Sequence, residues 1–214
     1  MQTILGLPIA ALLVAVCGAD FGYQAVKPQI LVKEQKDIPD SWILSFEFRG
    51  PRFIPTNVPG KGRKLVWYMT YKVSNRTPKP RLFIPHFTLV TDTGKVYHDV
   101  VLPQAEKAVI AREDPIRPLL NSVTIADELP PTPSESQLVE RHGVCFFEDV
   151  DPKARQFTVY VTGLSNLYLT REDDKTKAKV TKRKTLQLDF LKQGDEFLHD
   201  EKEIRFAGYE WTYR

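Results

Sequence analysis

The sequence predicts an all-β sandwich of about seven to nine short antiparallel strands, with at most one short helix. Three observations carry this expectation. Apolar runs of strand length alternate with polar residues at period two. Turn signals separate them at roughly 8–12-residue spacing. Proline is abundant, 16 residues against 11 glycines, which breaks the chain into short elements and opposes long helices. At 214 residues the chain can bury a core without disulfides or metal.

Taken in order, residues 1–19 read as a signal peptide. Ile4 to Val16 is almost wholly apolar, interrupted only by Gly6 and Pro8, and Asp20 is the first charged side chain. The run is shorter than the roughly 17–25 residues that span a bilayer and has the length of a signal-peptide apolar region. Cleavage after Ala19 leaves Cys17 and Ala19 at the small-residue positions, although no Lys or Arg precedes the run. Val14-Ala15-Val16-Cys17 also loosely matches a lipoprotein signal that would acylate Cys17. Val16 departs from that pattern, so a lipid anchor is the minority reading. Export places the protein in the periplasm, the cell envelope or the medium. Residues 20–40 follow as an N-terminal extension, a tail or edge element, with Gln29 to Lys33 as a short strand candidate. Residues 41–214 are assigned to the sandwich and its extra C-terminal strands.

Trp42, Leu44, Phe46 and Phe48 share one parity, the pattern of a half-buried strand that Gly50 and Pro51 break. Lys64 to Ser74 is the longest strand candidate. Both of its faces are apolar or aromatic over the first half, as expected of a central strand. Arg81 to Thr91 is the next, with Leu82, Ile84, Phe87 and Leu89 as core candidates and a bulge or edge expected at Pro85. Thr91-Asp92-Thr93-Gly94 signals a tight turn, and Lys95 to Val101 closes the hairpin. Ala105 to Ala111 can form the one helix, after Pro103. Asp114 to Ser136 is proline-rich, with a brief strand at Val123 to Ile125. Gly143 to Glu148, Gln156 to Thr162, an extended stretch from Leu167, Lys184 to Leu191 and Phe206 to Tyr213 complete the strands. Tyr209, Trp211 and Tyr213 share a parity and read as the core face of the last one.

The middle of the chain, Leu65 to Gly163, resembles a large family of exported bacterial immunoglobulin-like domains of unknown function. The carrying residues are Val73-Ser74-Asn75, then Phe87-Thr88-Leu89 with Asp92, Gly94 and Tyr97, and later Gly143-Val144-Cys145-Phe146-Phe147-Glu148 followed by Phe157-Thr158-Val159. The resemblance implies an immunoglobulin-like sandwich. Its motifs mark turns and core positions, so no reaction or cofactor comes with it. The chain departs from the family by its proline-rich insertion and by the strands from Thr185 to Arg214.

No arrangement of reactive side chains stands out. His86, His98, His142 and His199 form no pair at metal-ligand spacing. His98-Asp99 and His199-Asp200-Glu201 place neighbours on opposite strand faces. Cys145 sits among apolar residues and reads as a buried thiol, with His142 three positions away and so on the other face. Gly60-Lys61-Gly62 lacks the context of a phosphate loop. Asp149, Asp151, Asp173 and Asp174 fall in turns. Asn75-Arg76-Thr77 matches a glycosylation triplet but reads as the turn after a strand.

A net charge of +3 gives no broad basic field, so no nucleic-acid partner is expected. The one strong charge run is Lys175, Lys177, Lys179, Lys182, Arg183 and Lys184 after Arg171-Glu172-Asp173-Asp174. It reads as a solvated hairpin with one acidic and one basic arm, or as a patch for an anionic partner. The expectation is therefore a non-enzymatic exported protein, without metal or cofactor, that serves in protein or cell-envelope interaction. The alternatives are a carbohydrate- or small-ligand-binding module using Trp42, Trp67 or Trp211, and a hydrolase using loop acids or histidines.

Overall fold

The computed structural model describes residues 22–27, 40–113, 116, 118–132, 134, 137–172, 177–193 and 204–214. Among them are thirteen strands: β1 (Gln24–Val26), β2 (Ser45–Phe48), β3 (Arg52–Val58), β4 (Gly62–Ser74), β5 (Arg81–Phe83), β6 (His86–Thr91), β7 (Val96–His98), β8 (Asp127–Leu129), β9 (Glu140–Phe147), β10 (Gln156–Thr162), β11 (Tyr168–Glu172), β12 (Lys179–Lys192) and β13 (Ile204–Tyr213). One helix, α1 (Pro103–Glu113), lies between β7 and β8. The signal segment with Cys17, the Gln29 to Lys33 strand candidate, Asp173, Asp174, Lys175 and the His199 cluster lie outside the described residues.

Two antiparallel sheets face each other, so the fold is an all-β sandwich. In the first, β2 and β3 follow one another along one edge of β4, split at Gly50-Pro51, and β9 takes the other edge. β1 pairs outside β2 as an edge strand. In the second, β12 carries β13 on one edge and β10, then β11, on the other, with β6 and β7 beyond β10. Alternation places one parity of each strand between the sheets. Phe46, Phe48, Trp67, Met69, Tyr71 and Val73 thus meet Phe87, Leu89, Phe157, Val159, Leu186, Leu188 and Phe190 in one core. Rings interlock across the gap edge-on: Trp67 on Phe157 at 5.1 Å and Phe48 on Phe190 at 6.0 Å.

The central strand of the first sheet is buried on both faces. Val66 and Tyr68 of β4, Ile54 and Val58 of β3, and Val144 and Phe146 of β9 point away from the sandwich and are roofed by Ala105 and Val109 of α1. The helix forms because Pro103 can occupy its first turn and Ala, Glu, Lys and Arg fill most of its length. It is longer than the expected Ala105 to Ala111.

Other elements differ from expectation for local reasons. Leu82 and Ile84 are 57 % and 58 % exposed, whereas Phe83 is fully buried. The buried parity runs unshifted through Pro85, from Phe83 to Phe87, Leu89 and Thr91, so Leu82 and Ile84 fall on the outward side; β5 leaves the main sheets to pair with β8. Val123 to Ile125 is a turn rather than a strand, because Asn121 Oδ1 accepts from the amides of Val123 and Thr124 at 3.0 and 2.9 Å. Its Ile125 nevertheless reaches the core. Trp42 precedes its strand and is half-buried. The longest strand is β12, at 14 residues against 13 for β4, because the basic run is itself strand. In β13, Tyr209 is exposed while Phe206 and Trp211 pack on the core margin. This strand is a half-buried border, and a bulge next to Gly208 shifts its register.

A basic groove at the end of the second sheet as candidate functional site

The β11–β12 hairpin runs on from the sandwich. At this end Ile43 bridges Ser165, and β11 begins just after it. In the hairpin Leu169 faces Lys182 and Arg171 faces Val180. By the period of two these four share a face with Lys184, which opposes Tyr213 of β13. Together with Thr212 they line a cleft of about 290 Å³: Leu169, Arg171, Val180, Lys182, Thr212 and Tyr213. Arg171, Val180 and Lys182 are exposed, and Leu169, Thr212 and Tyr213 are half-buried.

Lys184 lies beneath this cleft at 3 % exposure. Its ammonium sits 5.4 Å from the Tyr213 ring and 6.0 Å from that of Trp211, so the ring faces meet a desolvated cation. Its backbone amide donates to Leu167 O at 2.8 Å, tying β12 to the chain entering β11. Trp211 Nε1 donates to Lys27 O at 3.2 Å, which fastens the N-terminal strand beside the same border. The opposite face of the hairpin carries Thr170, Glu172, Lys179, Thr181 and Arg183. Thr170 and Thr181 hydroxyls pair across the strands at 3.0 Å, and Glu172 meets Lys177 at 4.0 Å. Of the expected acidic arm the described residues hold Glu172; Asp173 and Asp174 lie outside them. Alternation puts Glu172 on the other side, and among the described residues no acid lines the cleft.

Of the three tryptophans singled out, only Trp211 adjoins this site. Trp67 is buried between the sheets. Trp42 is half-buried under the Arg81 guanidinium, and its backbone amide donates to Asn166 Oδ1 at 2.9 Å.

The remaining candidates are placed apart. Cys145 is buried, its thiol donates to Met69 O at 3.6 Å, and burial pushes its pKa well up, away from a reactive thiolate. His142 lies on the other face of β9, where its Nε2 is 3.7 Å from Glu140. His86 and His98 are brought together across β6 and β7, ring centroids 5.7 Å apart, which spacing in sequence did not show. Asp149 pairs with Lys64 and Lys61, and Asp151 with Lys95; these partners hold both carboxyls below their usual range. Lys61, in the turn between β3 and β4, also pairs with Glu148 at 2.7 Å. Asn75 is fully buried. Its Nδ2 donates to the carbonyls of Lys79 and Leu129, and its Oδ1 accepts from Thr77, so its side chain builds the turn and is closed to a glycosylating enzyme. Among the described residues no three of His, Cys, Asp and Glu gather as a metal-holding group, and no helix is long and apolar enough to cross a membrane.

One acid, considered in the sequence only as the neighbour of His98, is perturbed toward neutrality. Burial raises Asp99 to about 6, against the pull of hydrogen bonds from Ser122 and from the amides of Phe146 and Val100. Its Oδ1 accepts from Phe146 N at 2.7 Å and its Oδ2 from Ser122 Oγ. These bonds pin the approach to α1 onto β9. An acid whose pKa is higher folded than unfolded contributes stability that is complete below the unfolded value. That contribution is lost as pH rises through the folded one. Across about pH 4 to 7 the wild type should therefore lose about 3 kcal/mol relative to Asp99→Asn, since each pH unit between the unfolded and folded pKa is worth roughly 1.4 kcal/mol. Urea midpoints of the two proteins across that range check this; parallel profiles would show that Asp99 does not titrate there.

No known family model, curated protein or solved structure matches this chain.

Proposed function

We propose that the chain is an exported, non-enzymatic sandwich of the immunoglobulin-like kind that works by binding in the cell envelope or outside the cell. The groove between β11, β12 and β13 serves as its contact surface. The observation that carries this is the composition of that surface: exposed Arg171 and Lys182 beside Leu169, Val180 and Tyr213. A sheet that only closed a core would gain nothing from apolar side chains in contact with solvent there. The groove joins a polar rim to an aromatic and aliphatic floor, the usual make-up of a recognition site. Export is supported by the Ile4 to Val16 run and the small residues at Cys17 and Ala19.

The test is cell fractionation of the full chain and of the Arg171→Glu/Lys182→Glu variant. The processed wild type, beginning at Asp20 by intact mass, should be held in the envelope fraction or retained on the cell surface. The variant should be released at least several-fold more readily. Equal retention of both would remove the groove from this role, and an unprocessed cytoplasmic protein would remove export.

A further inference from the structure

We infer that the occupant of this groove is an acidic saccharide, a sugar ring bearing a carboxylate or sulfate, an assignment that rests on the groove being the contact surface. Arg171 and Lys182 lie on adjacent strands and one face, each opposite an apolar residue of the other strand: Arg171 with Val180, Lys182 with Leu169. That places them on a diagonal, with Cβ atoms about 7 Å apart, a separation that one substituted sugar ring bridges. The guanidinium of Arg171 offers a planar fork that matches a carboxylate or sulfate in two parallel hydrogen bonds. Lys182 adds a point charge beside it. Leu169, Val180 and the Tyr213 ring give the C–H face of a sugar an apolar floor. At about 290 Å³ the cleft is near the lower bound of small-ligand sites, roughly 300 Å³. It suits one or two rings and not a folded partner. The charge is local: Glu172 is turned to the far face.

Calorimetric titration of the full chain with four probes tests this: hexagalacturonate, its fully methyl-esterified form, hexaglutamate and a thymidylate hexamer. Hexagalacturonate should bind, and binding should weaken with added salt. The ester, which keeps the rings and loses the charges, should bind at least about tenfold more weakly. So should the peptide and the nucleic acid, which keep charges and lose the sugar face. Arg171→Ala/Lys182→Ala should cost at least about tenfold and Tyr213→Ala several-fold, with thermal midpoints unchanged for the exposed pair. Equal binding of the ester, of hexaglutamate or of the thymidylate hexamer would overturn the assignment, as would no binding by hexagalacturonate. If envelope retention still depended on Arg171 and Lys182, the groove would keep its role and only the ligand class would fall.

Discussion

Glu113→Ala is expected to lower the unfolding free energy by about 3–5 kcal/mol, the cost of removing one partner from a buried charge pair. Glu113 ends α1 with its side chain only 6 % exposed. Its Oε1 is 2.5 Å from Arg52 Nη1 and accepts from Tyr68 Oη at 2.6 Å, while its Oε2 meets Arg49 Nη1 at 3.2 Å. A carboxylate at a helix C-terminus opposes the helix dipole, and the two guanidiniums outweigh that. Alanine would leave the Tyr68 hydroxyl and the Arg52 charge desolvated on the strand face under α1. Arg112 Nη1 donates to Phe53 O at 2.9 Å and would still tie that last turn to β3. Glu113→Gln keeps an acceptor for Tyr68 and should lose clearly less. Urea unfolding of both variants measures this; a loss below about 1 kcal/mol for alanine, the value of an exposed pair, would mean that water already solvates the arginines.

Gly143→Ala should destabilise by about 1–3 kcal/mol or more, the range for overpacking a filled core. Gly143 pairs with Tyr71 across β4 and β9, and a methyl there would land inside the fully buried Tyr71 ring. The ring cannot retreat, since Phe46 stacks on it at 5.4 Å and Phe87 lies at 4.9 Å. The ring thus occupies the space of the missing side chain. Tyr71→Leu in the Gly143→Ala background should recover part of the loss, a coupling that a thermal-denaturation double-mutant cycle reads directly. Simple additivity would show that the backbone of β9, and not the ring, resists the methyl.

Both effects concern residues whose importance was invisible in the chain. Gly143 appeared only as a letter in a strand motif, and Glu113 as a polar residue past the end of a helix expected to stop at Ala111. Neither has a local signal, because each acts on side chains 45 to 72 residues away in sequence. Asp99 was passed over for the same reason: a raised pKa comes from burial, and burial belongs to the fold.

Alternation by itself determined the strand faces of β4, β6, β9, β10 and the second half of β12, since a residue two places on must return to the same side. The turn chemistry of Asn75 and Thr91 to Gly94 was equally local. Tertiary structure decided what those faces meet. It roofed the second face of β4 with α1, carried one buried parity from Phe83 through Pro85 to Leu89 so that Leu82 and Ile84 face outward, and brought His86 beside His98. It also carried the basic run beyond the sandwich, where β13 supplies Tyr213 and Trp211 to a groove that no single segment contains. Sequence period sets which side chains share a side; which distant strand lies alongside depends on the cooperative burial of the core, and that assembled the candidate site.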